Sequence, residues 1–197
     1  MPRTATHSRD KSLDRALNLF WRQGFTGTSL RDIENVLDMR PGSIYATFGS
    51  KHALFSEALD RYAARTMAEL EATIAAEPSP IAGLAAYIRM LGRLRERGDT
   101  TTVCMLVKSL IEFGDCEAVV RSKVDDLLAR MEARFIDRLG DAQALGEVPK
   151  GLDPERLGRR LQADIVGLRT YAARGVDNQA INDLAEDIAL DWEQLRR

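Results

Sequence analysis

The segment MRPGSIYATFGSK, Met39 to Lys51, gathers Arg40, Ser43, Tyr45, Thr47 and Lys51 within a few turns of chain. Guanidinium, ammonium and hydroxyl groups together suit hydrogen bonding to phosphate oxygens and base edges. A second group, Cys104, Lys108 and Glu112, steps by four along VCMLVKSLIEF, so on a helix the three share a face. An ammonium one turn from a thiol favours the thiolate. Alternatively, Lys108 pairs with Glu112 and Cys104 is an inert small hydrophobe.

Catalysis finds no support. His7 and His52 are the only histidines, and the dinucleotide, P-loop, zincin and nucleophile-elbow motifs are all absent. Two cysteines, Cys104 and Cys116, are too few for a disulfide framework or a thiolate metal site. On one continuous helix they lie roughly 18 Å apart and stay free thiols. No metal and no cofactor is expected. The apolar runs are short and the N-terminus has no apolar core, so neither a membrane span nor a signal peptide is expected, and a cytoplasmic location follows by default.

Positioning these groups falls to helices. Apolar residues recur at spacings of three and four in nearly every long segment, and no alternation long enough for a strand occurs, which predicts an all-α chain of about nine helices. The first runs from about Arg9 to Gln23, with Gly24 as its stop. Thr28 or Ser29 caps the second, and Ser29-x-x-Asp32 fits a capping box. Pro41 opens a third that ends at Phe48, burying Ile44 and Phe48 and leaving Arg40, Gly42, Ser43, Ala46 and Thr47 outside, with Tyr45 at the margin. Ser50 caps a long fourth helix that ends before Pro78. Later helices are predicted at about 79–97, 100–114, 117–140, 153–174 and 178–196.

Three short helices with a tight turn before the third match a helix-turn-helix in residues 1–52. The third helix has small outward residues, so its backbone can approach a DNA groove, and the helix starts at Thr28/Ser29 and Ser50-Lys51 offer phosphate anchors. Charge agrees with this. Residues 1–55 hold eight Lys or Arg against five Asp or Glu, a net of +3, which leaves −5 for the rest of a chain whose overall charge is −2.

The run FWRQGFTGTSLRDIENVLDMRPGSIYATFGSKHALFSEAL, Phe20 to Leu59, resembles the DNA-binding region of TetR/AcrR-type transcriptional regulators. The resemblance implies phosphate contacts from Thr28, Ser29, Tyr45 and Lys51. Arg40, Pro41, Ser43, Ala46 and Thr47 then face the major groove, and Gly42 allows close approach. The turn departs from the family pattern: Leu37-Asp38-Met39-Arg40-Pro41 stands where Ala-Gly-Val-Ser-Lys/Arg is usual. Asp tolerates a left-handed turn position, Arg40 replaces a capping serine, and Pro41 preorganises the first turn.

Residues 53–197 are then a helical effector-binding and dimerisation domain. The resemblance implies a ligand-responsive repressor that binds a palindromic double-stranded operator as a homodimer, released by an unidentified small-molecule effector. Two stripes suit a dimer face: Leu157, Leu161, Ile165, Leu168 and Ala172, then Ile181, Leu184, Ile188, Trp192 and Leu195. The same stripes can instead cover the chain's own core. Val103 to Phe113 resembles a stretch of NemR- and ComR-like members, which implies electrophile sensing through Cys104. An ordinary apolar pocket with Lys108 or Glu112 as its polar group, and Tyr62 and Met105 among its walls, is the other reading. A helical protein-interaction regulator without a small-molecule ligand is the remaining alternative.

Overall fold

The computed structural model describes residues 3–98, 101–114 and 117–196, with residues 3–8 described by their backbone alone. Cys116 therefore lies outside the described residues, as does the side chain of His7. Among the described residues there are nine α-helices and no strand: α1 (Arg3–Gln23), α2 (Leu30–Leu37), α3 (Pro41–Phe48), α4 (Lys51–Ala75), α5 (Pro80–Gly92), α6 (Met105–Phe113), α7 (Ala118–Ala144), α8 (Pro154–Tyr171) and α9 (Asn178–Glu193).

Several boundaries differ from the sequence reading. Helix α1 starts at Arg3 rather than near Arg9, since no glycine or proline interrupts the chain between them. Helix α7 runs through Gly140 because Leu139 and Ala142 keep its buried stripe going, and the left-handed stop falls at Gly146. Helix α5 ends early at Gly92, and α6 starts late at Met105.

The chain forms two compact units. The first comprises residues 1–65 and 105–127, so α6 and the start of α7 belong with α1 to α3 and the first half of α4. Its core is aromatic: Phe20, Phe25, Phe55 and Phe113 pack in stacked, edge-to-face and tilted pairs, with ring centroids 5.0–6.3 Å apart. Two arginine pairs brace α1 against α4. Arg9 donates to both oxygens of Glu57, and Arg61 holds Asp14 at 2.6 Å and Asp10 at 3.3 Å.

The second unit comprises residues 66–104 and 128–197. Its aliphatic core draws Ile81, Leu84 and Ile88 from α5, Leu161, Ile165 and Leu168 from α8, and Ile181, Ala185 and Trp192 from α9. Helices α5 and α9 approach closely: a Cβ on Gly92 would lie 2.5 Å from that of Ala185. Across the same pair Arg89 spans Glu186 and Glu193, each at 2.7 Å. No helix among the described residues is long and apolar enough to cross a membrane.

Candidate nucleic-acid interface

Helix α3 occupies the residues its punctuation predicts. Ser29 caps α2 and shares a capping box with Asp32, whose carboxyl the Ser29 hydroxyl and backbone N–H hold below the usual carboxylate range. Helix α2 ends at Asp38, which takes φ 54° and ψ 47°, the left-handed turn expected of it. Arg40 then stands at the N-cap of α3 in extended backbone, with no side-chain cap bond, and Pro41 supplies the first helical residue. Gly49 ends the helix, and the Ser50 side chain accepts from Ala53 N–H to start α4.

The buried side of α3 is Ile44 and Phe48. Arg40, Pro41, Gly42, Ser43 and Ala46 are exposed, Tyr45 is 47% exposed and Thr47 is half-buried. An added Cβ on Gly42 would meet nothing within 4 Å, so the start of this helix presents bare backbone to solvent. The Thr47 hydroxyl donates to the Ser43 carbonyl and keeps its lone pairs for a further partner.

Two expected phosphate contacts are placed differently. Thr28 is fully buried, and its hydroxyl donates to the Gly24 carbonyl at 2.6 Å, so it knits the α1–α2 turn and cannot reach a phosphate. The Lys51 ammonium sits 4.1 Å from the centre of the Phe25 ring. Burial pushes its pKa down, and the carboxylates of Glu112 and Glu117 oppose that shift. Ser29 is exposed, but its hydroxyl already serves Asp32.

Lys108 and Glu112 lie on α6 and do not pair with each other. Lys108 Nζ donates to the carbonyls of Trp21 at 3.1 Å and Arg22 at 2.7 Å, acceptors in the last turn of α1. Glu112 accepts from the backbone N–H of Phe25 at 3.0 Å and of Thr26 at 2.6 Å. One helix therefore grips both sides of the turn that carries α1 into α2. Sequence reasoning missed this, because backbone partners leave no mark in the sequence beyond two opposite charges four residues apart.

The other effector candidates are interior. Cys104 is buried, unlike the partly exposed thiols that act as sensors. Tyr62 and Met105 are also buried, Tyr62 edge-on to Trp21. In the second unit Leu161, Ile165, Leu168 and Trp192 are covered by their own chain, and Trp192 Nε1 donates to Asp164. Leu184 and Ile188 are left part-exposed. The stripes of α8 and α9 thus serve mainly the internal core, because each points toward α5 or toward the other. No group of three or more His, Cys, Asp or Glu side chains among the described residues is arranged to hold a metal ion.

Residues 13–58 match the family described as bacterial regulatory proteins, tetR family, and residues 80–187, more than half of the chain, match the tetracyclin repressor-like C-terminal domain. The chain belongs to the TetR family. It is 27% identical over 194 residues to the HTH-type transcriptional repressor ComR of Escherichia coli K12, a match that covers 98% of this chain and 92% of ComR. A TetR-family regulator of Chloroflexus aurantiacus shares the fold, with a TM-score of 0.84 at 21% identity over 95% of each chain. A cysteine mutant of the TetR-family regulator CifR, solved in complex with 26-bp double-strand operator DNA, superposes with a TM-score of 0.82 at 26% identity, covering 93% of this chain and 96% of CifR. The helix-turn-helix of this TetR-family chain is therefore α2, the Asp38 turn and α3, and the chain is a transcriptional regulator.

Proposed function

We propose that this regulator is a repressor that binds a palindromic operator as a homodimer and is released by a small-molecule effector. The observation that carries the DNA reading is the outward face of α3. Arg40, Ser43, Tyr45 and Thr47 stand around a backbone laid bare at Gly42, on a helix whose entry is fixed by Asp38 and Pro41. Bare backbone lets the helix sink into the major groove, and the polar rim then reaches base edges and phosphates. With Thr28 buried and Lys51 folded over Phe25, the N–H groups opening α4 take the phosphate role at that edge.

One short helix reads few base pairs, so two copies related by a two-fold axis supply the needed surface. Leu184 and Ile188, left part-exposed on α9, are the proposed apolar contacts between copies. The protein acts in the cytoplasm and catalyses no reaction. Fluorescence anisotropy with the chain's own promoter DNA across a salt series tests the proposal. Affinity should fall steeply with salt as phosphate counterions are released, and sedimentation should show two chains per operator. Absence of binding at low salt sinks the repressor reading.

A further inference from the structure

The first compact unit holds a cavity of about 520 Å³, lined by His52, Phe55, Ser56 and Leu59 of α4, by Glu117, and by residues 118–120 and Lys123 at the start of α7. None of Cys104, Lys108, Glu112, Tyr62 or Met105, the residues whose types and spacing suggest an effector site, lines it. Its volume falls in the range of small-molecule sites, whose walls are mostly apolar with a few placed polar groups. Ala53, Phe55, Leu59, Val119 and Val120 make such walls, and Val119 is 85% exposed at the mouth.

We infer that this cavity binds an uncharged, largely apolar small molecule with one hydrogen-bonding group, and that it is the effector site of the repressor. Only the regulatory part rests on the repressor reading; binding itself does not. The ionisable side chains at the rim already have partners: the His52 ring lies 3.2 Å from the Glu117 carboxylate, and Lys123 pairs with Asp60 at 2.6 Å. A charged ligand would lose its hydration among apolar walls, and among the described residues every ionisable side chain lining the cavity already has a partner, so a neutral ligand is favoured. The Ser56 hydroxyl has no hydrogen-bond partner among the described residues and lines the cavity, so it supplies the polar contact.

Position gives the site its consequence. His52 is the second residue of α4, three beyond the Gly49 that ends α3, and its ring lies 4.6 Å from that of Phe25. A molecule that parts α4 from α7 breaks the His52–Glu117 pair at the root of the recognition helix. The bridge between ligand and groove is thus one helical turn.

Titration calorimetry with 2-naphthalenemethanol, and with its anionic counterpart 2-naphthoate, tests the site in the full-length protein without DNA. Saturable binding of the alcohol at one site per chain is expected, at least tenfold tighter than the carboxylate. Ser56→Phe, which fills the cavity, and Val119→Trp, which plugs its exposed mouth, should each weaken the alcohol at least tenfold, with circular dichroism showing both variants folded. No saturable binding to wild type, equal binding of the anion, or unchanged binding to the folded Val119→Trp variant overturns the site. A separate arm adds the alcohol to the protein–operator complex. At least a tenfold loss of DNA affinity, absent in Val119→Trp, supports the effector role, whereas binding of the alcohol with no change in DNA affinity overturns that role and leaves the repressor reading intact.

Discussion

The Glu112 carboxylate lies 2.6 Å from the backbone nitrogen of Thr26, eighty-six residues away in sequence, and accepts its N–H. With the companion bond from Phe25 it satisfies two donors that the α1–α2 turn leaves over. The turn must be tight enough for this. Gly24 holds φ +79°, and a Cβ there would lie 2.7 Å from Glu112 Oε2.

Removing the carboxylate by Glu112→Ala should cost about 1–2 kcal/mol, since the bonds are charge-assisted but partly open to solvent. Gly24→Ala should cost at least as much, from left-handed strain of about 1–2 kcal/mol and from the clash. Urea denaturation of both variants and of the double variant checks the link. The double variant should lose less than the two single losses added, because the clash is gone.

Asp38 carries the positive φ between α2 and α3. Asp38→Gly should therefore leave stability within about 1 kcal/mol, whereas Asp38→Val, which resists that backbone, should lose about 1–2 kcal/mol or more. Thermal melting of the two variants gives the comparison, and equal losses would contradict the assigned turn.

On the DNA side, Arg40→Ala and Tyr45→Phe should each weaken operator binding by about 1–3 kcal/mol if they touch base edges, and relax preference at one or two positions. A phosphate contact instead weakens all sequences alike and lowers the salt slope by about one. Anisotropy titrations on operator and scrambled duplex separate the two roles. Thr28→Ser should scarcely change affinity, since its hydroxyl serves Gly24 inside the turn.

Acid should loosen the second unit. Arg89, with its bidentate grip, holds the carboxyls of Glu186 and Glu193 below the ordinary glutamate value of 4.5. The stabilisation is present above that value. As pH falls below it the unfolded chain takes up protons first, and the contribution is lost as pH passes through the depressed folded values. Arg89→Met should flatten the dependence of the denaturation midpoint on pH below about 4.5, and an unchanged dependence would mean that other carboxylates control acid unfolding.

Local chemistry made the recognition element legible. The Ser29–Asp32 box, the Asp38 turn, Pro41 at the helix start and Gly49 at its end act within four residues of themselves, so spacing alone predicts them. Contacts across the fold were not legible. Thr28 reads as an exposed helix cap until Gly24 turns the chain and takes its hydroxyl inside. Leu161, Ile165, Leu168 and Trp192 show the same helical period whether they face another copy or their own core, and burial decides for the core. Lys108 and Glu112 look like each other's partners until α6 is laid against the turn between α1 and α2. Helix starts and stops depend on neighbours in sequence, whereas side-chain destinations depend on neighbours in space.

Asp38 and Pro41 set the path of α3 before any outward side chain is chosen, and Ile44 and Phe48 alone anchor it inside. Gly42, Ser43 and Ala46, exposed on its outer face, are therefore spectators of folding. If that face reads DNA as proposed, lineages can rewrite those letters for new targets without first having to rescue a collapsing domain, and a laboratory can graft a foreign reading face here on the same terms.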